Sequence, residues 1–316
     1  MIRSFFLAIY DCFTFFNEIE LLEWRLKLLD EVVDYFVIVE SNMTHQYKPK
    51  EYIFLKEQYR FKKYLKKIRY IQVDGNECNK SESKGKYDWK LENYQRNCII
   101  RGLYDCKEDD IIIIADIDEF INPYILKNLF NNNLTFHHIA NTTEYRSKKS
   151  RIRQFFRWFN HPTLIFNQYI NKNVLYKTPL VCEQEMYYFF INYKRKDNLC
   201  ASIITMYKHL KEPNALRTLR NVLPSIDNAG WHLSYMGGIE RIKQKIDSIV
   251  EGVESEFAGN VSSEKMNMMN DFVNKGIVFW SNEQLEILDR EQLNIKYISW
   301  FIEKYPYMYN KNEKGE

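Results

Sequence analysis

The feature that most constrains the fold of this chain is a run of four isoleucines, residues 111–114, that leads into the acidic sequence Asp-Ile-Asp-Glu at residues 116–119. A short, continuous run of β-branched residues predicts a strand that is covered on both faces of an α/β sheet. Ligand sites in such sheets lie just beyond the carboxyl ends of the strands. In an extended chain the carboxylates of Asp116 and Asp118 would point to one side, about 7 Å apart. This spacing favours a hard divalent cation, Mg²⁺ or Mn²⁺, that itself holds a diphosphate.

Three other interpretations of the acidic sequence are open at this stage. Asp is a favoured turn residue, so the acids could simply mark the exit from a strand. The haloacid-dehalogenase-like phosphatases also place Asp-x-Asp after a buried strand and use an aspartyl nucleophile. They carry Thr or Val two residues after the second Asp, where this chain has Phe120. The third alternative is a non-catalytic module that binds sugar or membrane through the basic aromatic segments 60–70 and 151–159.

Composition narrows the class of protein. With 316 residues, 23 Tyr and 21 Phe, the chain can bury a substantial core and is expected to be an ordered globular protein. No linker divides it, so we expect a single domain over residues 1–316. A net charge of +3 is too small to indicate a nucleic-acid partner. The six cysteines have no Cys-x-x-Cys spacing, which argues against a zinc ribbon and gives no disulfide framework.

The apolar start of the chain is predicted to be a strand and not a signal peptide. Asp11 interrupts the apolar residues before any small-residue cleavage site, so we assign residues 5–10 to the first core strand. No apolar run approaches the ~20 residues that a membrane span requires. We therefore expect a cytoplasmic protein, with segment 60–70 as a candidate for peripheral contact with an anionic membrane.

A β-α-β unit is predicted to follow. Asn17, with Glu20 three positions later, has the form of a capping box, and apolar residues continue from there at helical spacing. Residues 35–39 then form the second strand. Parallel strands would bring Asp11 and Glu40 to the same edge of the sheet.

Two further helices carry candidate donor-binding side chains. A helix over residues 87–104 presents Arg96, which could bind a donor phosphate or pair with Glu92 four residues earlier. A helix over residues 239–250 carries three basic side chains that include Lys245. These could approach a diphosphate, but a solvated helix face explains them more simply.

Five blocks of the sequence resemble glycosyltransferase family 17, whose named member is β-1,4-mannosyl-glycoprotein β-1,4-N-acetylglucosaminyltransferase. They include Asp-Cys-Phe and Asn-Glu-Ile-Glu near the start, the Asp-x-Asp sequence, and a Gly-Trp-His segment. The blocks lie in family order at residues 11–26, 33–41, 95–97, 116–119 and 230–235.

The resemblance implies a fold and a function for each part of the chain. The fold would be α/β and GT-A-like, with a mainly parallel central sheet flanked by helices. Residues 1–130 would bind the nucleotide sugar, and residues 131–250 would serve the acceptor and the metal, with an insertion at 131–180. Residues 251–316 would form a C-terminal cover.

The resemblance also implies roles for individual side chains. Asp118 would be the more direct ligand of a divalent cation, Mn²⁺ or Mg²⁺, and Asp116 would contact the metal or the donor ribose. A neutral imidazole is a good metal ligand, and His232 would serve as one. Three further side chains would complete the donor site: Asp11, Glu40 and Arg96.

The implied reaction is an inverting transfer of a sugar, expected to be GlcNAc from UDP-GlcNAc, to a glycan or glycoconjugate acceptor. Such a reaction needs one general base beside the acceptor hydroxyl. The sequence does not identify this base. Asp227, five residues before His232, is our first choice, Glu185 is the second, and Glu183 is the third.

Overall fold

The computed structural model describes residues 7–78, 88–130, 134, 136–137 and 174–311, which form one large sheet with helices on its faces. The strands are β1 (Ile9–Phe15), β2 (Tyr35–Ser41), β3 (Ile68–Val73), β4 (Ile111–Asp116), β5 (Glu119–Ile121), β6 (Phe136–His137), β7 (Leu180–Tyr188), β8 (Tyr193–Lys194), β9 (Leu199–Met206), β10 (Ser225–Ser234), β11 (Ile277–Val278), β12 (Glu283–Gln284) and β13 (Glu286–Ile287). The α-helices are α1 (Ile19–Leu29), α2 (Ile53–Glu57), α3 (Lys90–Asn97), α4 (Pro123–Asn128), α5 (Val174–Lys177), α6 (Pro213–Arg217), α7 (Ile239–Ile246), α8 (Ser263–Asn274) and α9 (Ile298–Lys304).

The first four strands of the large sheet are parallel and lie in the order β3-β2-β1-β4. Strand β9 continues the sheet antiparallel to β4 and joins it to β7. Strand β10 lies parallel to β7 and antiparallel to β5. Strands β11 and β12 form a separate small sheet. The expected α/β, GT-A-like fold is thus confirmed, with four adjacent parallel strands in the first part of the chain.

Strand β4 has the two-sided burial that its sequence predicts. All four isoleucines are 0% exposed. Side chains alternate along a strand, so Ile111 and Ile113 pack in one apolar cluster with α1, whereas Ile112 and Ile114 pack in another cluster on the opposite face. The strand is therefore fixed from both sides, and so is the point at which it ends.

Strand β1 begins and ends later than predicted. It runs Ile9–Phe15 instead of over residues 5–10, and Asp11 is its third residue. The charge of Asp11 does not end the strand, because a buried partner, Arg25, neutralises it. In the sheet register Asp11 lies beside Phe36 of β2, whereas Phe15 lies beside Glu40. The prediction that Asp11 and Glu40 share one edge is wrong, because four residues of strand separate them.

Helix α1 is confirmed, but the predicted capping box is not. The residue that precedes the helix is Glu18, and its side chain does not cap the helix. Its carboxylate accepts hydrogen bonds from the backbone N–H groups of Phe16 and Asn17. The Asn17 amide instead donates to Gln244 at 2.8 Å. A polar residue at this position therefore ties α1 to α7.

Three other expectations can be compared with the structure. The helix predicted over residues 87–104 is shorter, since α3 ends at Asn97 and a 3₁₀ helix (Cys98–Gly102) follows. The basic aromatic stretch 151–159 and most of the predicted insertion lie outside the described residues. The described part of the chain contains no helix with the length and apolar character that a membrane crossing requires.

Candidate active site

One buried arginine, Arg25, holds the acidic turn, residues 116–119, in place. Asp116 is the last residue of β4, and Glu119 begins β5. Arg25 of α1 donates to three carbonyl oxygens of this turn at 2.7 to 3.2 Å. Its remaining nitrogens bind the carboxylate of Asp11 at 2.6 and 2.7 Å, and both side chains are 0% exposed. Asp11 therefore acts through Arg25 to fix the turn.

The turn is held from its other side by β10. The backbone N–H of Leu233 donates to the carbonyl of Asp118 at 2.8 Å. Earlier in β10, Gly230 lies opposite Ile121 with a φ of +150°. A Cβ at Gly230 would lie 1.9 Å from the carbonyl oxygen of Phe120. Only glycine allows this approach, so it sets how closely β10, and with it His232, lies to the acidic turn.

We expect Gly230→Ala to lower the free energy of unfolding by about 3 kcal/mol, because backbone strain adds to a clash that must displace β5. Gly259 is the matched control: it has a φ of +67°, and none of the described atoms lies within 4 Å of the position that a Cβ would occupy there. Gly259→Ala should cost only the strain, about 1 kcal/mol. Urea denaturation of both variants measures the difference. Equal losses would contradict the role given to Gly230.

A cavity of about 890 Å³ opens above the acidic turn. Its volume is within the range of small-molecule sites. Its walls come from the segments that follow β1 and β2, from α3, from the end of β10, from the chain after α7, and from residues near Trp280. Four of the predicted site residues line it: Arg96, Asp116, Asp118 and His232.

Asp116 is bound by two arginines at the floor of this cavity. Its carboxylate accepts from Arg96 at 3.2 Å, from Arg217 at 3.1 Å and from the Thr14 hydroxyl at 3.0 Å. Burial alone would raise the pKa of Asp116, but the two arginines outweigh it and hold that pKa well below its usual range. Arg96 also pairs with Glu92 at 2.9 Å, as the helical spacing predicts. Asp116 is therefore ionised and fixed in place.

Asp118 lies between a lysine and a histidine. Lys245 of α7 is 2.7 Å from Oδ2 of Asp118, and Nε2 of His232 is 3.5 Å from Oδ1. Burial would raise the pKa of Asp118, but Lys245 and His232 hold it well below its usual range. For Lys245 burial lowers the pKa, and Asp118 more than compensates, so it stays protonated. Nδ1 of His232 is buried and has no hydrogen-bond partner among the described residues.

The site can offer two adjacent ligands to a divalent cation. Metal–ligand bonds of about 2.1 Å place neighbouring ligand atoms roughly 3 Å apart, and the 3.5 Å between Asp118 Oδ1 and His232 Nε2 is close to this. The described residues hold no cluster of three or more His, Cys, Asp and Glu side chains arranged for a metal. The residues present therefore fit a cation whose remaining ligands come from a bound diphosphate and water.

Five predicted side chains lie away from the cavity. Glu40 is 0% exposed and accepts from Lys50, from the Tyr70 hydroxyl and from backbone N–H groups at the start of α2. Glu185 is ion-paired with Lys194 and accepts from the Tyr187 hydroxyl. The cavity walls of the described structure include none of the following: Asp11, Glu40, Asp227, Glu185, Glu183.

Asp227 is separated from His232 because both lie along strand β10. The strand bulges between Ile226 and Gly230, but Ile226 and His232 still pair with β7 residues four positions apart, Cys182 and Met186, which spans about 13 Å. Nearness in sequence therefore did not mean nearness in space. Two cavity residues, in contrast, had no sequence signal, Thr14 and Arg217, and Lys245 was identified only as one of three basic residues on its helix.

The helix that carries Lys245 does not present the solvated basic face that its sequence predicts. Instead Arg241 binds Glu20 of α1 through both terminal nitrogens, at 2.6 and 2.7 Å. This pairing holds α7 against α1 and turns Lys245 towards the acidic turn. Periodicity could identify the helix, but not the acids that its basic residues would meet.

Comparison with known proteins supports the family that the sequence blocks suggest. No curated protein sequence matches the chain significantly. A family model described as glycosyltransferase family 17 matches residues 2–167, which is more than half of the chain. The match includes the acidic turn, α1 and Arg96, whereas β10 and α7 lie beyond it. The chain belongs to glycosyltransferase family 17.

Proposed function

We propose that this glycosyltransferase is metal-dependent and inverting, and that it moves GlcNAc from UDP-GlcNAc to a glycan or glycoconjugate acceptor. The observation that carries the proposal is the ionised Asp116 and Asp118 pair at the carboxyl edge of parallel strands, in a cavity where Arg96, Arg217 and Lys245 bind these carboxylates. Membership of a glycosyltransferase family argues against a phosphohydrolase built on the same acids.

The side chains around the acidic turn suit the departure of a nucleoside diphosphate. Lys245 carries a positive charge beside Asp118, where it can stabilise the negative charge that develops on the leaving group. Arg96 and Arg217 keep Asp116 ionised and fixed. Mn²⁺ or Mg²⁺, held by Asp118 and His232, would supply further neutralisation of the diphosphate when bound. The protein would thus contribute both ligands for a divalent cation and positively charged side chains.

Calorimetric titration with UDP-GlcNAc, other UDP-sugars and GDP-sugars, each with Mn²⁺ and with chelator, tests the proposal. We expect UDP-GlcNAc to bind in Mn²⁺ and to bind at least tenfold more weakly in chelator. Equal affinity in both conditions would overturn metal dependence. A preference for another sugar nucleotide would overturn the choice of donor. Failure of all nucleotides to bind would overturn the donor site itself.

A further inference from the structure

One side of the cavity is an aromatic wall made of four side chains: Tyr188, Tyr235, Phe279 and Trp280. The Trp280 ring packs edge-on against Tyr188 and Phe279, with centroids 5.3 and 4.7 Å apart, and lies 5.1 Å from Tyr235. It is nevertheless 49% exposed. A tryptophan held by three rings but left half open presents a rigid apolar surface to the cavity.

The backbone around this wall has positive φ angles at three positions, and two of these carry bulky aromatic side chains. Phe189 and Tyr235 have φ angles of 68° and 57°, and Asn282, two residues after Trp280, has 56°. Bulky residues adopt this left-handed region at a cost of about 1–3 kcal/mol each, and such strain concentrates at functional sites. Tyr235 lines the cavity, whereas Phe189 is fully buried. The strain at Tyr235 therefore fixes the direction of a ring that faces the cavity.

The aromatic wall is continuous with the acidic turn. The ammonium of Lys245 lies 5.0 Å from the centre of the Tyr235 ring and 2.7 Å from Asp118. At the wall's other end, Arg195 lies 6.0 Å over the Tyr188 ring and binds Glu283 at 2.8 Å. An apolar surface flanked by charged side chains suits a ligand that has one apolar face and a rim of hydroxyl groups.

We propose that Trp280 and Tyr235 form the acceptor subsite, in which a pyranose ring of the acceptor glycan stacks on the open face of Trp280. The inference rests on the proposed sugar transfer and adds the side of the cavity from which the acceptor is recognised. The C–H groups on one face of a pyranose pack well on an aromatic ring, while its hydroxyls stay free for polar neighbours. Trp280 lies outside the residues that the family model matches, so this subsite belongs to the chain's own C-terminal part.

The test uses the full chain loaded with UDP and Mn²⁺ on a printed array of mono-, di- and oligosaccharides. We expect the unaltered protein to bind at least one class of glycan, Trp280→Ala to bind it at least tenfold more weakly, and Trp280→Phe to retain part of the signal. Trp300→Ala is the matched control, because Trp300 lies in α9 against Lys27 and Lys304 and not at the cavity. Its array signal should not change.

UDP affinity, measured for every variant by calorimetry, separates the two proposals. Unchanged UDP affinity with lost glycan binding in Trp280→Ala supports the acceptor subsite. Lost UDP affinity in Trp280→Ala, with folding retained, would overturn it and assign the wall to the nucleotide. A blank array, or an array signal that Trp280→Ala leaves intact, would overturn the subsite while UDP binding upholds the donor site. Absence of UDP binding in the unaltered protein would count against the proposed function itself.

Discussion

Replacing Asp118 with Asn should abolish the effect of Mn²⁺ on UDP binding and slow sugar transfer about a thousandfold. Asn keeps the shape of the side chain but removes the charge that a divalent cation requires. Loss of several kcal/mol of stabilisation on the leaving group corresponds to a rate change of this size. Lys245 would also lose its buried partner, since Oδ2 of Asp118 is its ion-pair contact at 2.7 Å. The ratio of UDP affinities in Mn²⁺ and in chelator should therefore fall to about one.

A surface aspartate provides the control for this substitution. Asp105 is about half exposed and binds Arg69 at 2.6 Å, away from the cavity. Asp105→Asn should leave both UDP affinity and its dependence on Mn²⁺ unchanged. Calorimetry with each variant, alongside a thermal unfolding scan, distinguishes loss of the site from loss of the fold. Retention of Mn²⁺-dependent UDP binding in a folded Asp118→Asn protein would contradict the role proposed for this carboxylate.

Local sequence patterns were sufficient for the part of the fold that presents the acidic turn. The isoleucine run predicted β4 correctly because burial on both faces requires an apolar side chain at every position. The spacing of apolar residues likewise predicted α1. Both patterns depend on neighbours in sequence, and the position of Asp116 at the end of a strand follows from them.

Two partners of the acids could not be predicted, because they lie far along the chain. Arg217 and Lys245 meet the acidic turn across separations of 101 and 127 residues, and no local pattern indicates such a pairing. The sequence alone places Asp11 in the donor site for a different reason, since its partner lies only 14 residues away. A carboxylate in an apolar strand suggests function until its buried partner, Arg25, is known.

Removing Arg25 should cost more stability than removing any exposed ion pair in the protein. Arg25→Met keeps the length of the side chain but leaves the carboxylate of Asp11 buried without a counter-ion, and three carbonyls of the acidic turn lose their donor. Breaking a fully buried pair on one side typically costs about 3–5 kcal/mol. Lys63→Met is the comparison, because Lys63 is 71% exposed in its pair with Asp30; it should cost less than about 1 kcal/mol. Urea denaturation measures both values.

A double variant separates the structural role of Arg25 from its positioning role. When both members of a buried pair become apolar, stability often recovers, so Asp11→Leu combined with Arg25→Met should regain much of the loss. The turn carbonyls would still lack their donor, because they accept from Arg25 and not from Asp11. UDP binding in Mn²⁺ should therefore stay impaired in a protein that has regained its stability. Recovery of both together would mean that Arg25 stabilises the core but does not position the acidic turn.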